Sequence, residues 1–420
     1  MGFRFIHAAD LHLDTPFKGL HHLPEAVRER IIRSTFRSFD NLIKLALAEQ
    51  VDFVLFAGDV YDTSTRSLRA QLQFRAGLDK LSSAGITSFI VHGNHDPLDG
   101  EHIPIEWPKR VHFFSGERVE RIPFYKQGRE VASIYGFSYP TAQFTTNISK
   151  AFRRESDCFS IGLLHTNCDR VSSHHNYAPS TKQDLLASGF DYWALGHVHQ
   201  RKILHDDPPI VYPGNLQGRH RQELGEKGCY LVDVSPEGRI KGLRFVPLQD
   251  VLWWEERIDV SPCKTFQEVL DTIEGVVTRL KEKENMAVIL YITLVGQTAL
   301  WQELGQREVL MDITRMWQEQ EALQENFVWL EAVQFQGEPH IDRETLLQSA
   351  GIYKDLIKLV DELLLSPAKL SALDEEALAP LLSHPKARRF LSPFTLEEKK
   401  ALLKEAEQLL LAELLGREAR

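Results

Sequence analysis

The segment Val51-Asp52-Phe53-Val54-Leu55-Phe56-Ala57-Gly58-Asp59-Val60-Tyr61-Asp62 constrains the fold more than any other stretch of the chain. Its apolar run is too short for a helix, is rich in Val and Phe, and is bounded by a turn glycine. That pattern predicts a buried strand that delivers Asp59 and Asp62 onto a loop at the carboxyl edge of a sheet. In open α/β sheets this is the edge where ligands sit. The same event, an apolar strand running into a polar loop, recurs at Asp10-Leu11-His12, Gly93-Asn94-His95-Asp96, His165 and Gly196-His197-Val198-His199. Five loops point at one place.

Two aspartates, an asparagine and at least four histidines offer mixed oxygen and imidazole donors, a set that suits Mn²⁺, Fe²⁺ or Zn²⁺ better than Mg²⁺ or Ca²⁺. One cation does not need so many. Two metals about 3.5 to 4 Å apart need a shared carboxylate against their mutual repulsion, and such pairs clamp the attacking and leaving oxygens of a phosphoryl displacement. Asp59, central in chain order, is the bridging candidate. A turn after Gly196 would aim His197 and His199 at different metals, whereas an extended segment would send them to opposite faces.

Along the chain, Val27, Ile31, Ile32, Phe36, Phe39, Ile43 and Leu47 recur at helical spacing over 24–49. A second helix is predicted near 67–84 and an apolar strand over 87–91. This β-α-β-α-β alternation implies parallel strands with helical crossovers. Shorter runs at 131–137 and 159–164, then hairpin strands near 210–212, 228–234 and 239–247, complete an expected two-sheet sandwich, α/β/β/α, spanning residues 1–247. A small α/β domain follows over 251–337, with strands at 255–260, 287–295 and 327–335 and helices at 265–284 and 300–323. From Asp342 to residue 420 strand patterning stops, and Leu, Lys and Glu punctuated by Pro367, Pro380, Pro385 and Pro393 predict a helical tail.

With 49 basic against 59 acidic residues, the net charge of −10 argues against a general nucleic-acid coat. Arg201, Lys202, Arg219, His220, Arg221 and Lys227 nevertheless cluster in sequence just after the last histidine motif, where a phosphate backbone would lie. The four cysteines lack a CxxC pair, which speaks against a disulfide framework or structural zinc. No run approaches a membrane span, and the first strand begins almost at Met1, so a cytoplasmic protein is expected.

These residues resemble the calcineurin-like metallophosphoesterase superfamily, whose pattern is Asp-x-His, Gly-Asp-x-x-Asp, Gly-Asn-His-Asp or Glu, a lone His, and Gly-His-x-His; all five stand here in that order. The amino-terminal Asp10-Leu11-His12-Leu13 and the second β/α domain are similar to the SbcD-type DNA-repair exonucleases. The segment Pro213-Gly214-Asn215-Leu216-Gln217-Gly218-Arg219-His220 and the helical tail resemble the YhaO branch. Typical SbcD proteins carry a serine where this chain has Asn215. By matching position, the resemblance implies that Asp10, His12, Asp59 and His199 hold one metal and Asp59, Asn94, His165 and His197 the other, usually manganese. It further implies that His95 protonates the leaving oxygen and that Asp62 orients His95. Asp14, Asp96, His174 and His175 receive no role; Arg219 and His220 are the candidates for substrate phosphate.

The expected function is therefore a two-metal DNA exonuclease, with single-strand endonuclease activity alongside, acting with a coiled-coil ABC-type ATPase of the SbcC kind; a homodimer is compatible with the sequence. The alternative is a stand-alone phosphomonoesterase or cyclic-nucleotide phosphodiesterase; an adaptor with a dead site fits poorly with every ligand intact. In the tail, Thr395 and Glu398 form a capping box ahead of a helix whose stripe Leu402, Leu403, Ala406, Leu409, Leu410 and Leu414, widened by Leu411 and Leu415, needs cover. That cover is expected either from the helices at 344–365 or from the ATPase.

Overall fold

The structure is a computed structural model that describes residues 1–17, 20–62, 67–100, 103–169, 179–284, 286–321, 326–348, 351–382 and 394–418. His174, His175, Pro385 and Pro393 lie outside the described residues. The chain divides into two compact units: Met1–Trp254 with Lys283–Ile289 and Glu321–Trp329, and Glu255–Glu282 with Leu290–Gln320 and Leu330–Arg420. Most of the expected α/β domain and the helical tail lie together in the second unit.

The first unit opens with β1 (Phe3–Ala8), α1 (Glu25–Ala48), β2 (Phe53–Ala57), α2 (Leu68–Ser83) and β3 (Thr87–Val91), the alternation read from the sequence. It continues with β4 (Val111–Phe113), β5 (Glu120–Lys126), β6 (Arg129–Phe137), β7 (Phe159–His165), α3 (Lys182–Ala187) and β8 (Tyr192–Gly196). β9 (Lys202–Asp206), β10 (Pro209–Tyr212), β11 (Gly228–Val234) and β12 (Ile240–Pro247) close it. Two six-stranded sheets result, in the orders β12-β11-β1-β2-β3-β4 and β5-β6-β7-β8-β10-β9. β4, β5 and β9 were not anticipated, and all three sit at sheet edges. An edge strand leaves one row of backbone groups unpaired, so Pro123, which has no N–H to donate, is tolerated inside β5, and β9 remains largely exposed.

Strands β1 to β4 run parallel, as do β6, β7, β8 and β10. Period-two alternation then sorts the core. Phe5, Phe53, Ile161 and Tyr192 lie between the sheets, with the Phe5 and Phe53 rings stacked at 5.0 Å. On the other face of the first sheet, Ile6, Val54 and Phe56 pack against Phe39 and Phe74 of α1 and α2. Trp193, Leu195 and Tyr135 cover the far face of the second sheet with Leu185 of α3. The layers are α/β/β/α. On α1, Ile32 and Leu47 face outward instead of inward, and Leu42 and Ala46 take the buried places.

The second unit carries most of β13 (Val251–Asp259), α4 (Phe266–Glu284), β14 (Ala287–Val295) and the pair β15 (Gln297–Thr298) and β17 (Glu338–Pro339), with β16 (Val328–Phe335) between the last two in sequence. Its three-stranded sheet has the order β13-β14-β16. The single helix expected over 300–323 is broken into α5 (Trp301–Leu304) and α6 (Arg307–Glu321), because Gly305 caps the first and interrupts the run. Helices α7 (Arg343–Gln348), α8 (Ile352–Leu365), α9 (Pro367–Leu382) and α10 (Leu396–Glu418) follow.

The capping box forms at the start of α10. Glu398 N donates to Thr395 Oγ1 at 3.3 Å, and Thr395 N donates to Glu398 Oε2 at 2.7 Å. Only part of the expected stripe is buried. Leu411 packs with Leu414 onto Tyr353 and Ile357 of α8, whereas Leu402, Leu409 and Leu410 are exposed. Leucines lie around much of the helix, so spacing alone did not select a face. Among the described residues no helix is long and apolar enough to cross a membrane.

Candidate metal centre

Every one of the five polar loops leaves a parallel strand at its carboxyl end, so all arrive at the same edge of the sandwich. The loops after β1 and β2 are joined by Asp10 N to Gly58 O at 3.1 Å, His12 N to Asp59 O at 3.0 Å and Leu13 N to Val60 O at 2.9 Å. Asp10 (φ 51°), His12 (φ 43°), Asp59 (φ 51°) and His197 (φ 101°) adopt backbone conformations that L residues seldom take. Outliers of this kind persist only where the surroundings over-determine them. Close approach completes the site: a Cβ on Gly93 would stand 2.2 Å from Asp59 Oδ1, and one on Gly196 would stand 1.9 Å from Ala57 O.

Three groups converge: Asp10, His12 and His199; Asp59, His165 and His197; and His12, Asp62 and His95. Hydrogen bonds fix the histidine tautomers. Asp62 Oδ1 accepts from His12 Nδ1 at 3.1 Å, and Glu223 Oε1 accepts from His199 Nδ1 at 2.7 Å. Both Nε2 atoms then carry lone pairs, and they face each other at 3.1 Å. On the other side, Ala57 O accepts from His165 Nδ1 at 2.9 Å. In the neutral ring this leaves the His165 Nε2 lone pair 3.2 Å from Asp59 Oδ2, 3.1 Å from Asn94 Oδ1 and 3.2 Å from His197 Nδ1. Acceptors facing acceptors in a buried space are satisfied by a cation and by little else. The residues therefore fit a pair of divalent metals.

The electrostatics agree. Burial pushes Asp10 up, to about 7. Burial also depresses His165, but the neighbouring Asp59 and Asp10 carboxylates outweigh it and raise that imidazole to about 9, so a proton collects where positive charge is wanted. Burial of its ring pushes His199 down to about 3 despite Glu223. Asp62 is held well below the usual carboxylate range: burial would raise it, and its bonds to His12 and His95 prevail. Its Oδ1 lies 2.7 Å from His95 Nδ1, and Thr15 Oγ1 donates to its Oδ2 at 2.5 Å. One carboxylate thus serves both a candidate ligand and the candidate acid.

Residues 3–201 match the model of the calcineurin-like phosphoesterases, and residues 253–338 match the middle domain of metallophosphoesterase YhaO. Over 409 residues the chain is 39% identical to the uncharacterized metallophosphoesterase YhaO of Bacillus subtilis (strain 168), an alignment covering 97% of this chain and 96% of that one. The chain belongs to the calcineurin-like metallophosphoesterases. The protein named DNA double-strand break repair protein Mre11 of Saccharolobus solfataricus is 26% identical over 305 residues, or 70% of this chain and 75% of that one. Its namesake in Aeropyrum pernix is 30% identical over 261 residues, covering 56% and 59%.

Within this metallophosphoesterase, the structure brings together Asp10, His12, Asp59, Asp62, Asn94, His95, His165, His197 and His199. It disperses the basic cluster. Arg219 is turned into the protein, where its Nη2 lies 2.8 Å from Glu223 Oε1, and its side chain is only 13% exposed. That arrangement makes Arg219 a clamp on Glu223 instead of an open phosphate contact. His220 stays exposed, 3.6 Å from Glu223 Oε1. Lys227 donates to His199 O at 3.1 Å, and Arg201 lies over the Phe245 ring. Asp96 is structural, accepting from Val60 N and Gly93 N at 2.9 and 2.7 Å, and Asp14 accepts from Ser67 Oγ.

Sequence reasoning missed Glu223, which is 5% exposed and fixes His199 from behind. No strand leads directly into it and it lies in an irregular segment, so nothing in the pattern marks it. Asn215, the departure from serine, also serves Glu223: its Nδ2 donates to Glu223 Oε2 at 2.9 Å and to Gln217 O at 2.7 Å.

Proposed function

We propose that this metallophosphoesterase is a two-metal phosphodiesterase that hydrolyses DNA as an exonuclease, with single-strand endonuclease activity alongside, in DNA repair. The observation that carries the hydrolytic reading is the convergence of imidazole nitrogens and carboxylate oxygens from five loops on one buried place. Asp10, His12, Asp59 and His199 would hold one cation, and Asp59, Asn94, His165 and His197 the other, manganese fitting this mixed donor set with iron or zinc as substitutes. Two such cations would acidify a water as nucleophile and neutralise charge on the phosphate.

The chain's own residues do the rest. Asp62 takes His95 by Nδ1, which leaves Nε2 of a 45% exposed ring directed away from the carboxylate, as the atom that gives its proton to the departing sugar oxygen. Burial alone would lower the His95 pKa, yet the bond to Asp62 and the charge of Asp59 raise it, keeping the imidazolium available near neutral pH. Asp59 Oδ1 also accepts from His95 N at 2.9 Å, so the acid's backbone is tied to the bridging carboxylate. Asp96 holds the same loop down.

DNA as substrate is supported by the Mre11 proteins, named for double-strand break repair, whose similarity extends over up to about 70% of the chain. A coiled-coil ATPase of the SbcC kind is the proposed partner in a cytoplasmic complex, docking on the leucines of α10 that remain exposed, with 251–337 guiding the duplex. The deciding experiment measures Mn²⁺-dependent nucleotide release from end-labelled duplex beside hydrolysis of p-nitrophenyl phosphate and cyclic dinucleotides. Duplex degradation is expected. Turnover confined to the small esters would replace the nuclease with a phosphomonoesterase or cyclic-nucleotide phosphodiesterase.

A further inference from the structure

In the second unit a cavity of about 660 Å³ lies between α6 and β16, lined by Arg307, Leu310, Met311, Arg315, Val333 and Phe335 among others. Every residue from 331 to 336 lines it. Consecutive side chains of a strand point to opposite faces, so a cavity that touches all of them runs along the strand's edge instead of over one face. β16 is an edge strand of its sheet. Its inner side is marked by Phe327 O, which accepts from Val288 N at 2.8 Å just ahead of the strand. Backbone groups alternate along a strand, so Leu330 O turns outward, and there Gln318 Nε2 of α6 donates to it at 2.9 Å. α6 thus flanks the outer edge of β16, and the cavity between them follows the line where one more strand would pair.

The helical wall selects what that strand carries. Arg307, Met311 and Arg315 stand at i, i+4 and i+8 on the side of α6 that lines the cavity, which spreads the two guanidinium groups over about 12 Å of helix axis. In an extended segment the side chains at i, i+2 and i+4 share a face, and the outer two are about 13 Å apart. The two spacings match. Carboxylates at i and i+4 would meet Arg307 and Arg315, while an apolar side chain at i+2 would cover Met311, which is 42% exposed. Glu331 is the one acid among the lining residues, and Glu308, Asp312 and Glu319 of α6 stand outside the lining. Asp312 does approach Arg315, at 3.7 Å, but the two side chains are 76% and 64% exposed, and so open a pair contributes little. A second copy of this edge is a poor occupant, because it would bring its own Arg307 and Arg315 against these. An acidic strand is the complement.

We propose that the groove between α6 and β16 docks an extended acidic segment of a partner protein, added to the sheet beside β16, with acidic side chains at its first and fifth positions and an apolar one at its third. Backbone pairing along β16 supplies affinity, and the Arg307–Met311–Arg315 row supplies selectivity. The inference stands apart from the nuclease reading, since it uses no residue of the metal centre.

The test measures, by fluorescence anisotropy on the full chain, binding of a labelled nine-residue peptide with Glu, Leu and Glu at its third, fifth and seventh positions. Arg307→Glu combined with Arg315→Glu, both on the surface, should weaken it about tenfold at an unchanged melting temperature. A peptide with Lys in place of both Glu should show the reverse preference, binding the double variant better than the wild type. N-methylation of alternate peptide residues removes the donors to β16 in one phase only, so one of the two methylated peptides should lose about tenfold and the other little. No binding to the wild type at millimolar peptide, equal binding of the Glu and Lys peptides, or equal loss in both methylated phases overturns the proposal. So does a wild type that sediments as a dimer while Met311→Lys sediments as a monomer, which gives the groove to a second copy. A single-stranded oligonucleotide bound by the wild type and lost in the double variant, with no peptide bound, gives it to nucleic acid and overturns the proposal as well.

Discussion

The sheet edge that carries the metal-centre loops and the helical region after Asp342 are built on opposite terms. At the edge nearly every polar side chain is buried and held by two or more partners: Asp62 by His12, His95 and Thr15, and Glu223 by His199, Arg219 and Asn215. In α10 the same residue type serves both sides, with Leu411 buried and Leu402, Leu409 and Leu410 left to water. The first region is over-determined and tolerates little. The second is permissive, because many registers of a leucine-rich helix bury comparable area.

The contrast is broken most severely at Asp59. Asp59→Ala should remove both cations and reduce turnover to background, since the shared carboxylate faces ligands of both groups; elemental analysis showing near-full metal content would take the bridging role away from it. His95→Asn comes next. It should keep its metal and lose roughly 10² to 10⁴ in kcat, the usual contribution of a positioned acid. A fall in metal content in that variant would make His95 a ligand.

Glu223→Gln keeps the shape and removes the charge behind His199. Loss of such a supporting carboxylate weakens metal affinity by about 10- to 100-fold, so titration should show one of two sites weakened and the other unchanged. Equal weakening of both would mean that the two halves are coupled more tightly than their separate hydrogen bonds imply.

A smaller effect is expected one step below the site. His7 is fully buried, its Nδ1 3.0 Å from Tyr192 Oη and its Nε2 3.1 Å from Leu195 O, and burial lowers its pKa to about 3 from 6.5. The unfolded chain therefore binds a proton that the folded chain refuses. The contribution is complete above pH 6.5 and is lost as pH falls toward 3. Urea unfolding at pH 7 and pH 4.5 should show the wild type losing about 2–3 kcal/mol more than His7→Gln. Parallel losses would assign the acid sensitivity to other groups.

On the permissive side, Thr395→Ala should cost about 1 kcal/mol through the lost cap of α10. Hydrogen exchange ought to show fraying of the first turn with no change in catalysis. A catalytic defect would show that the helix is not independent of the site.

The same contrast explains what the sequence reveals. Asp10, Asp59, Asn94, His165 and His197 were legible because each directly follows a short apolar strand, where period and polarity change together. Glu223 and Asn215 were not, since they act through other side chains and occupy irregular segments with no period to break. Arg219 misled because a basic residue near a phosphate site reads as a substrate contact, whereas folding places a carboxylate four positions later against it. Edge strands β4, β5 and β9 were obscured by their exposure. In α10 the cap was visible and the buried face was not: a cap is a local chemical signature, while a face is chosen by what packs on it.

The candidate ligands are divided between the two sheets. Asp10, His12, Asp59 and Asn94 come from the loops of the first, and His165, His197 and His199 from the second, so each of the groups Asp10–His12–His199 and Asp59–His165–His197 draws on both. Ion binding here would therefore be a clasp across the sandwich as well as a catalytic device. A chain cut between β4 and β5 would yield halves that each lack a complete set, and recovery of metal affinity on mixing them would report that the two layers had found each other.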